Sequence, residues 1–557
     1  VTTRRDYTKR WQGLRTEQSG HRARWQDLSD AYLPHTGQFQ PSERNDSRRR
    51  HQEILDSSGI RALRTLAAGM MAGMTSPARP WFRLTTTDPE LDESDSIKRW
   101  LADVQRRMLM LFGAGNTYRA LHSVYEELAL YGTAANLVTP DFEHVVWHHP
   151  LTAGQYAIAT DHLGQVTTLY RQFEMTVGEL VGQFGLESVS PSVSRRWRTG
   201  NLVSGVVVAH AIEPRADRDV RRRDARNMPW RSVYFEPGDQ TREFLRESGY
   251  RRFPAVAPRW VTSGGDVYGT GPGHESLGDV RALQHLHRRK AQAIDYQTMP
   301  PVEAPASMAG NGVDLLPGGV SYHDGQQSGQ VIRPVWQVRL DLNGLLMDIQ
   351  DTRTRIRESF YADLFLMLAS SDRRQMTATE VAERHEEKLL MLGPVLERLH
   401  SELLSPLIDL AFDAMADTGT IPPPPPDLQG RELSVEFVSM LAQAQRAVAT
   451  TSIDRFVANL GAVAQFKPEA LDKLDADRWV DAYADMLGVD PDLIVPGERV
   501  AIIRQQRAEA QQAAAQAEQM AQQAKVARDL GAARTDQPNA LTDVIQMFSG
   551  YTTPQGG

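Results

Sequence analysis

Apolar residues recur at helical spacing through YTKRWQGLRTEQSGHRARWQDLSDAYL and again through SSGIRALRTLAAGMMAGM, with Pro34, Gly37 and Pro41 between the two stretches. The spacing predicts helices in both, spanning about Thr8 to Ala78. SPARPWFRLTTTDPE then breaks the periodicity with its prolines and leaves a short strand around Trp81 to Thr85. From Ser94 to about Tyr131 the helical pattern returns, and Gly132 marks its stop. Between Ala134 and Thr262 the pattern changes. VVWHH, VTTLYRQFEM, VVVAHAI and SVYFE alternate or concentrate β-branched and aromatic residues between turn signals, which predicts mostly antiparallel sheet with one small helix near Thr176 to Phe184.

Helices dominate the remainder. Ser276 with Asp279 three positions on reads as a weak capping box, and Leu277, Val280, Leu283, Leu286 and Ile294 carry a helix to about Thr298, stopped by Pro300 and Pro301. A Gly- and Pro-rich insertion follows, with short strand candidates at GVSYH and VIRPVWQV. A second helix resumes at Leu342, with Leu345, Ile349, Ile356, Phe360 and Leu364 on one side. LASSDRRQM interrupts before a long helical stretch from Thr377, boxed with Glu380, to about Ala416. At about 1.5 Å per residue that element would extend about 60 Å if straight, but Gly393 and Pro394 inside it predict a kink. Beyond the stiff run Pro422 to Pro426, helices are expected near Leu441 to Ala464, Lys467 to Leu487 and Glu498 to Leu530, the last rich in Ala and Gln and poor in large apolar residues. The chain from about Thr535 is expected to be flexible. The fold class is therefore α+β, predominantly α.

Composition narrows the chemistry. With 557 residues, roughly three to four structural units are expected, and 41% apolar with 24% charged residues is the composition of a folded chain. There is no cysteine, so disulfides, thiolate metal sites and catalytic thiols are excluded. The polar N-terminal stretch has no apolar core of a signal peptide, and the longest apolar run, Leu66 to Met74, is too short to span a bilayer, so synthesis and assembly in the cytoplasm with no membrane partner is the expectation. A net charge of -8 argues against a surface that grips nucleic acid all over. The basic runs Arg221 to Arg223 and Arg288 to Lys290 read first as solvated faces.

The stretch GDVYGTGPGHESLGDVRAL, from Gly265 to Leu283, invites comparison with phosphate-binding loops. It lacks the Gly-Lys-Ser/Thr of a Walker loop. A dinucleotide fingerprint would need a third glycine where His274 stands, and the preceding FPAVAPRW is broken by Pro254 and Pro258. The steric reading is stronger: Gly269, Gly271, Pro272 and Gly273 form a joint that aims the helix after them. His285 and His287, two apart on a helix, point away from each other and cannot share an ion, while His148 and His149 face opposite sides of a strand. No HExxH, EF-hand or GxSxG motif occurs, and no catalytic, cofactor or metal residue is assigned.

RWVTSGGDVYGTGPGHESLGDVRALQ, the paired prolines after it, MTATEVAERHEEKLLMLGPVLERLHSELLSPLID, ELSVEFVSMLAQAQR and DADRWVDAYADMLGVDPDLIV, in that order, closely resemble the portal proteins, or head-to-tail connectors, of short-tailed bacteriophages. LDSSGIRALRTLAAGMMAGMTSPARPWFRL fits as well. The resemblance implies a ring of twelve copies at one capsid vertex, alongside major capsid and scaffolding proteins. Terminase threads double-stranded DNA through it during packaging, DNA leaves by it on ejection, and tail adaptor proteins later dock on it. It implies a wing over residues 1–272, a first stem helix over 273–298, a clip over 299–341, a second stem helix over 342–366, a tunnel loop over 367–376, a long kinked wing helix over 377–421, a crown over 422–534 and a tail over 535–557. A helical virion scaffold or adaptor without a channel is the alternative, with a nucleotide-dependent DNA-processing enzyme using GTGPG a remoter one.

A conduit must not hold DNA tightly, because each neutralised phosphate adds a salt-dependent increment of affinity and a ring repeats every contact. Within the implied tunnel loop, Ser370, Ser371, Asp372, Arg373, Arg374 and Gln375 are the candidates to face DNA, with the two arginines guiding its backbone. Arg288 and Lys290 on the first stem helix, and Arg353 and Arg357 four apart on the second, are further candidates, with ion pairing to a neighbouring subunit as the competing role. Ring closure requires one surface to meet a different surface of the next copy.

Overall fold

The structure is a computed structural model. It describes residues 3–40, 54–88, 91, 94–222, 224–239, 241, 243–298, 302–303, 333–334, 342–370, 392–431, 433–438, 456–464, 466–467, 469, 474–487, 495 and 497–531. The chain divides into a large unit, residues 1–488, and a small one, residues 489–557.

The large unit opens with α1 (Arg4–Glu17) and α2 (Ser19–Ala31). The break falls at buried Gln18, whose Nε2 donates to the Tyr156 carbonyl (2.8 Å) and the Tyr268 hydroxyl (3.0 Å). α3 (Ser58–Met74), β1 (Phe82–Thr86), α4 (Asp95–Ala114) and α5 (Thr117–Tyr131) follow as the periodicity predicts. Gly132, in the left-handed region at φ 69°, ends α5, the conformation that favours glycine at a helix end. Buried Trp25 ties α2 to this end by donating from Nε1 to the Tyr131 carbonyl (3.1 Å).

The β region is antiparallel throughout. β2 (Ala135–Asp141) pairs with β3 (Val145–Leu151) on one side and β9 (Ala255–Val256) on the other. β4 (Tyr156–Thr160), β5 (Val166–Thr176), β6 (Gly205–Pro214), β7 (Trp230–Phe235) and β8 (Arg246–Tyr250) form a five-stranded sheet in chain order. Strand alternation divides its side chains between two covers. Tyr170, Ala209, Ala211 and Phe235 meet Tyr7, Trp11 and Leu14 of α1. On the other face Met175, Val208 and Tyr234 meet α6 (Val177–Phe184) and α7 (Pro191–Arg198). Thr176 and Glu179 cap α6 reciprocally. α7 is an addition to the single small helix expected here. Its apolar signal is confined to Val193 and Trp197, while Ser190 caps it and Pro191 opens it.

α8 (Pro272–Thr298) begins four residues before the expected capping box, which is not formed. Pro272 fits the first helical position, where a missing N–H costs nothing. Ser276, now inside the helix, donates to the Pro272 carbonyl (2.7 Å) and meets the Tyr32 hydroxyl (2.8 Å). α9 (Leu342–Ser359) runs antiparallel to α8, with Asp279 near the start of one paired to Arg355 near the end of the other (3.2 Å). Beyond their far ends, β10 (Val302–Glu303) pairs with β11 (Arg333–Pro334). Both strand candidates of the insertion, GVSYH wholly and VIRPVWQV but for Arg333 and Pro334, lie outside the described residues.

The second helix does not run unbroken to residue 366. Tyr361 adopts φ 51°, splitting α10 (Ala362–Ser370) from α9. The turn lets buried Phe360 meet Tyr32 edge-on (5.8 Å) and lays Phe365 against Gly69 of α3, with which α10 packs. Residues 367–370, read as the start of a loop, are thus helical, and Ser371 to Gln375 lie outside the described residues, as do Thr377 and Glu380. Gly393 and Pro394 fall within helical residues 392–399, the turn before them lying outside the described residues, and a π turn follows at His400–Leu404 just ahead of Pro406 in α11 (Ser405–Asp417). A proline there removes one helix hydrogen bond.

The proline run starts against α4, where Trp100 donates to the Pro422 carbonyl (3.1 Å). β12 (Leu433–Phe437) then returns to pair antiparallel with β1, Phe82 opposite Phe437, so this strand shares the large unit's core. Residues 456–464 are helical, whereas the helix expected from Lys467 starts later, as α12 (Ala476–Leu487), where the Asp475 carboxylate caps it by accepting from the Arg478 N–H (3.1 Å). In the small unit, α13 (Gly497–Gly531) covers the Ala- and Gln-rich stretch and exposes Ile502, Ile503 and Met520. The tail from residue 535 lies outside the described residues.

A Cβ on Gly69 would lie 2.2 Å from Phe365 Cγ. Gly69→Ala is expected to unseat α10 and cost about 1–3 kcal/mol, read as a lower melting temperature with faster proteolysis near residue 370.

Candidate functional site

α8 departs from the core at a point where backbone lies on backbone. Gly269 to Gly273 passes over the last turn of α5. A Cβ at Gly269 would stand 2.5 Å from the Gly132 carbonyl oxygen, at Gly271 3.1 Å from the Leu128 oxygen, and at Gly273 2.3 Å from the Leu130 oxygen. Only residues without side chains permit that approach. Hydrogen bonds fasten the crossing: Gly269 N–H donates to the Thr133 hydroxyl (2.8 Å), Trp260 N–H to the Gly132 carbonyl (2.9 Å), and Thr270 N–H to the Val261 carbonyl (2.8 Å). Carbonyl oxygens of α5 lie against these glycines, and the N–H groups of Gly269, Thr270 and Gly271 are already engaged within the chain, which counts against the nucleotide-loop reading. The His274 side chain turns back onto the loop, its Nδ1 accepting from Gly271 N–H (3.3 Å) while Nε2 is buried without a partner among the described residues. Burial, with Arg24 and His21 nearby, pushes the His274 pKa down to about 4.

A second fastening lies nearly four turns along α8. The Asp56 carboxylate, just before α3, accepts from Ser58 N–H (2.7 Å) and from Arg353 Nε of α9 (3.0 Å), and His287 Nε2 of α8 lies 3.0 Å away. Gln284 completes the knot, its Oε1 accepting from the N–H groups of Leu55 and Asp56 and its Nε2 donating to the Asp56 carbonyl. Burial works to raise the Asp56 pKa, but the bonds from Ser58 and Arg353 outweigh it and hold the group below the usual carboxylate range. One carboxylate thus joins the approach to α3 with both long helices.

The named cations therefore have different environments. Arg353 is committed to Asp56 within the same chain. Arg357 donates from Nη2 to Thr354 (3.2 Å) of its own helix, and its Nε is buried without a partner among the described residues. Arg288 is exposed and Lys290 half-buried, and neither makes an ion pair among the described residues. His148, between Thr117 Oγ1 (3.0 Å) and Asn136 Nδ2 (2.9 Å), is a buried structural group held near pKa 4 chiefly by burial. Asp56, Gln284 and Arg355 escaped sequence reasoning, since each acts through a partner remote in the chain.

Asp56→Ala strips Arg353 of its counter-charge and is expected to cost about 2–3 kcal/mol, measured by denaturant unfolding. Gly273→Ala is expected to lower stability by about 1–3 kcal/mol in the same assay, because a carbonyl rather than a flexible side chain must move. Acid should destabilise the fold. His148 and His274 are kept neutral when folded and protonate near 6.5 when unfolded, so their contribution is complete above pH 6.5 and is lost as pH falls toward 4, and buried His210, also pushed down, adds in the same sense. Glu127, raised by burial to about 7, works in the opposite sense between 4.5 and 7, one carboxyl against three imidazoles. His274→Asn should flatten the melting temperature profile between pH 4 and 6.5.

A family model described as bacteriophage head to tail connecting protein matches residues 4–495. The "Probable portal protein" of Bordetella phage BPP-1 is 60% identical over 551 residues, covering 99% of each chain, and the "Portal protein" of Salmonella phage epsilon15 is 45% identical, covering 95% of this chain and 96% of its own. Among solved structures, a chain from the virion of a native gene transfer agent particle overlaps 79% of this chain and 95% of its own at 11% identity and a TM-score of 0.31, too low to support a fold assignment. With the connector match running from the first helix past α12, and near-complete overlap with two curated relatives, this chain belongs to the bacteriophage portal, or head-to-tail connecting, protein family.

Proposed function

We propose that twelve copies of this chain close into a ring at one vertex of the capsid, with α8 and α9 of every copy lining a channel through which double-stranded DNA enters and leaves. The observation that carries this reading is the α8–α9 pair. It leaves the core beyond Leu283 and exposes Ile294, Tyr296, Leu346 and Met347 while ending in a small strand pair. Exposed apolar groups on two neighbouring helices are what one copy offers another. Residues 269–273 then act as the joint between wing and stem, α8 and α9 as the stem, residues 299–341 as the clip that terminase and later tail adaptor proteins meet, and residues 371–376 as the reach of the tunnel loop. The wing would comprise 1–272 with the helical stretch through α11, and the crown would follow β12. The role is structural, without catalysis.

Acidic net charge suits a conduit that lets DNA slide, and Arg288 and Lys290, without an ion pair among the described residues, are the cations available to guide its backbone or to meet a carboxylate on the next copy. Native mass measurement should give a particle of about 750 kDa, twelve times the 62.3 kDa chain, with a central bore in negatively stained images. A monomer or dimer at micromolar concentration, or a solid particle, overturns the reading. Replacing Arg288 and Lys290 together by alanine should leave the ring intact and weaken its salt-dependent DNA retention if they face the channel, whereas loss of the ring would place them between copies.

A further inference from the structure

The β2–β3 hairpin ends in a tip whose apex packs against none of the described residues. Phe142, at its apex, is fully exposed to solvent. The tip is nonetheless rigid. Asp141 Oδ2 accepts from the N–H groups of Glu143 (3.1 Å) and His144 (2.8 Å), with His144 Nδ1 at 3.2 Å. Val145, a β-branched residue, is held at φ 65°, where such side chains are strained. A strained, braced turn that presents an aromatic ring to water is the form of an anchor awaiting a socket.

The same chain carries a groove of fitting chemistry. On the face of the five-stranded sheet away from α1, an open groove of about 760 Å³ is lined by Arg171, Phe173, Tyr234 and Arg246, with Thr139 and Pro140 from the base of the same hairpin at its other wall. The Arg171 guanidinium lies 4.6 Å from the Phe173 ring and donates from Nε to His210 (3.3 Å), and it has no other partner among the described residues. Arg246 lies over Phe184 (5.0 Å) and donates to the Gln183 carbonyl (2.7 Å), leaving further N–H groups to spare. The groove's carboxylates, Glu174 and Glu179, are not free, Glu179 accepting from Thr176 N–H (2.8 Å). Two guanidiniums over aromatic walls match a tip reading Asp-Phe-Glu.

We propose that Phe142 of one copy seats in this groove on the next, with Asp141 and Glu143 facing Arg171 and Arg246. Tip and groove use different residues, so a copy that gives its tip to one neighbour and its groove to the other makes a head-to-tail contact, the kind that closes rings. The inference rests on the ring reading above and adds a specific contact to it.

The chain contains no cysteine, so introduced thiols report without background. Phe142→Cys combined with Ser248→Cys in the groove, treated with a short bis-maleimide, should give a ladder of covalently joined copies on a denaturing gel, and either single variant should give none. Phe142→Asp and Arg171→Glu should each lower the yield of rings at least tenfold while far-UV circular dichroism stays unchanged. Mixed, they should form a one-to-one pair, since one intact tip meets one intact groove and the chain cannot extend. Wild-type rings with no ladder, or wild-type ring yield from Phe142→Asp, overturn the contact and leave the ring standing. Full ring yield from Phe142→Asp with failure to enter capsids overturns it in favour of docking on the shell. Absence of wild-type rings overturns the ring reading itself.

Discussion

Backbone lying against backbone where residues 269–273 cross the end of α5 is the constraint on which the rest depends. Side chains at an ordinary contact bend and repack. Here the surfaces in contact are carbonyl oxygens and Cα atoms, which have no rotamers to absorb an added atom, so the direction in which α8 leaves is set by the geometry of α5 itself. Gly132 takes part from both sides. Its left-handed conformation ends α5, and its carbonyl receives the Trp260 N–H that holds the crossing strand in place. Any rotation of α8 relative to the core must therefore begin beyond this point.

The Asp56 carboxylate supplies the second restraint, and its chemistry differs in kind. It is directional and charged, with Arg353 of α9 donating to it and His287 Nε2 of α8 3.0 Å away, and the Arg355–Asp279 pair lies farther toward the origin of α8. Two supports at different heights fix an orientation, where one would fix only a pivot. The neighbouring copies proposed above would meet a projecting pair already aimed by its own chain, so little conformational entropy is left to lose on assembly.

Sequence reasoning reached the parts governed by local rules. Gly132 as a helix stop follows from backbone conformation a few residues wide, and the structure has it. It failed where two local rules competed or where the partner was remote. Ser276 and Asp279 have the spacing of a cap, but Pro272 four residues earlier already had the fixed φ that starts a helix. Leu345 to Leu364 keep helical periodicity through Phe360, so nothing in the pattern announced the break that Tyr361 makes, which arises from the fit of Phe365 to Gly69. The Asp56 knot joins residues some 300 positions apart, and the groove chemistry of Arg171 depends on strand registers that no single stretch reveals.

The pairing of β1 with β12 bears on how the molecule is made. Phe82 to Thr86 lies in the first sixth of the chain, yet its only strand partner among the described residues arrives roughly 350 residues later. At about 5–20 residues per second, the ribosome leaves that hydrogen-bonding edge open for about 20–70 s. Until then a nascent chain presents Phe82 and Leu84 on an unfinished sheet, open to strand addition by any other polypeptide. Translation itself thus times when a copy stops being an aggregation hazard, and a truncated product lacking the last quarter of the gene would never pass that point.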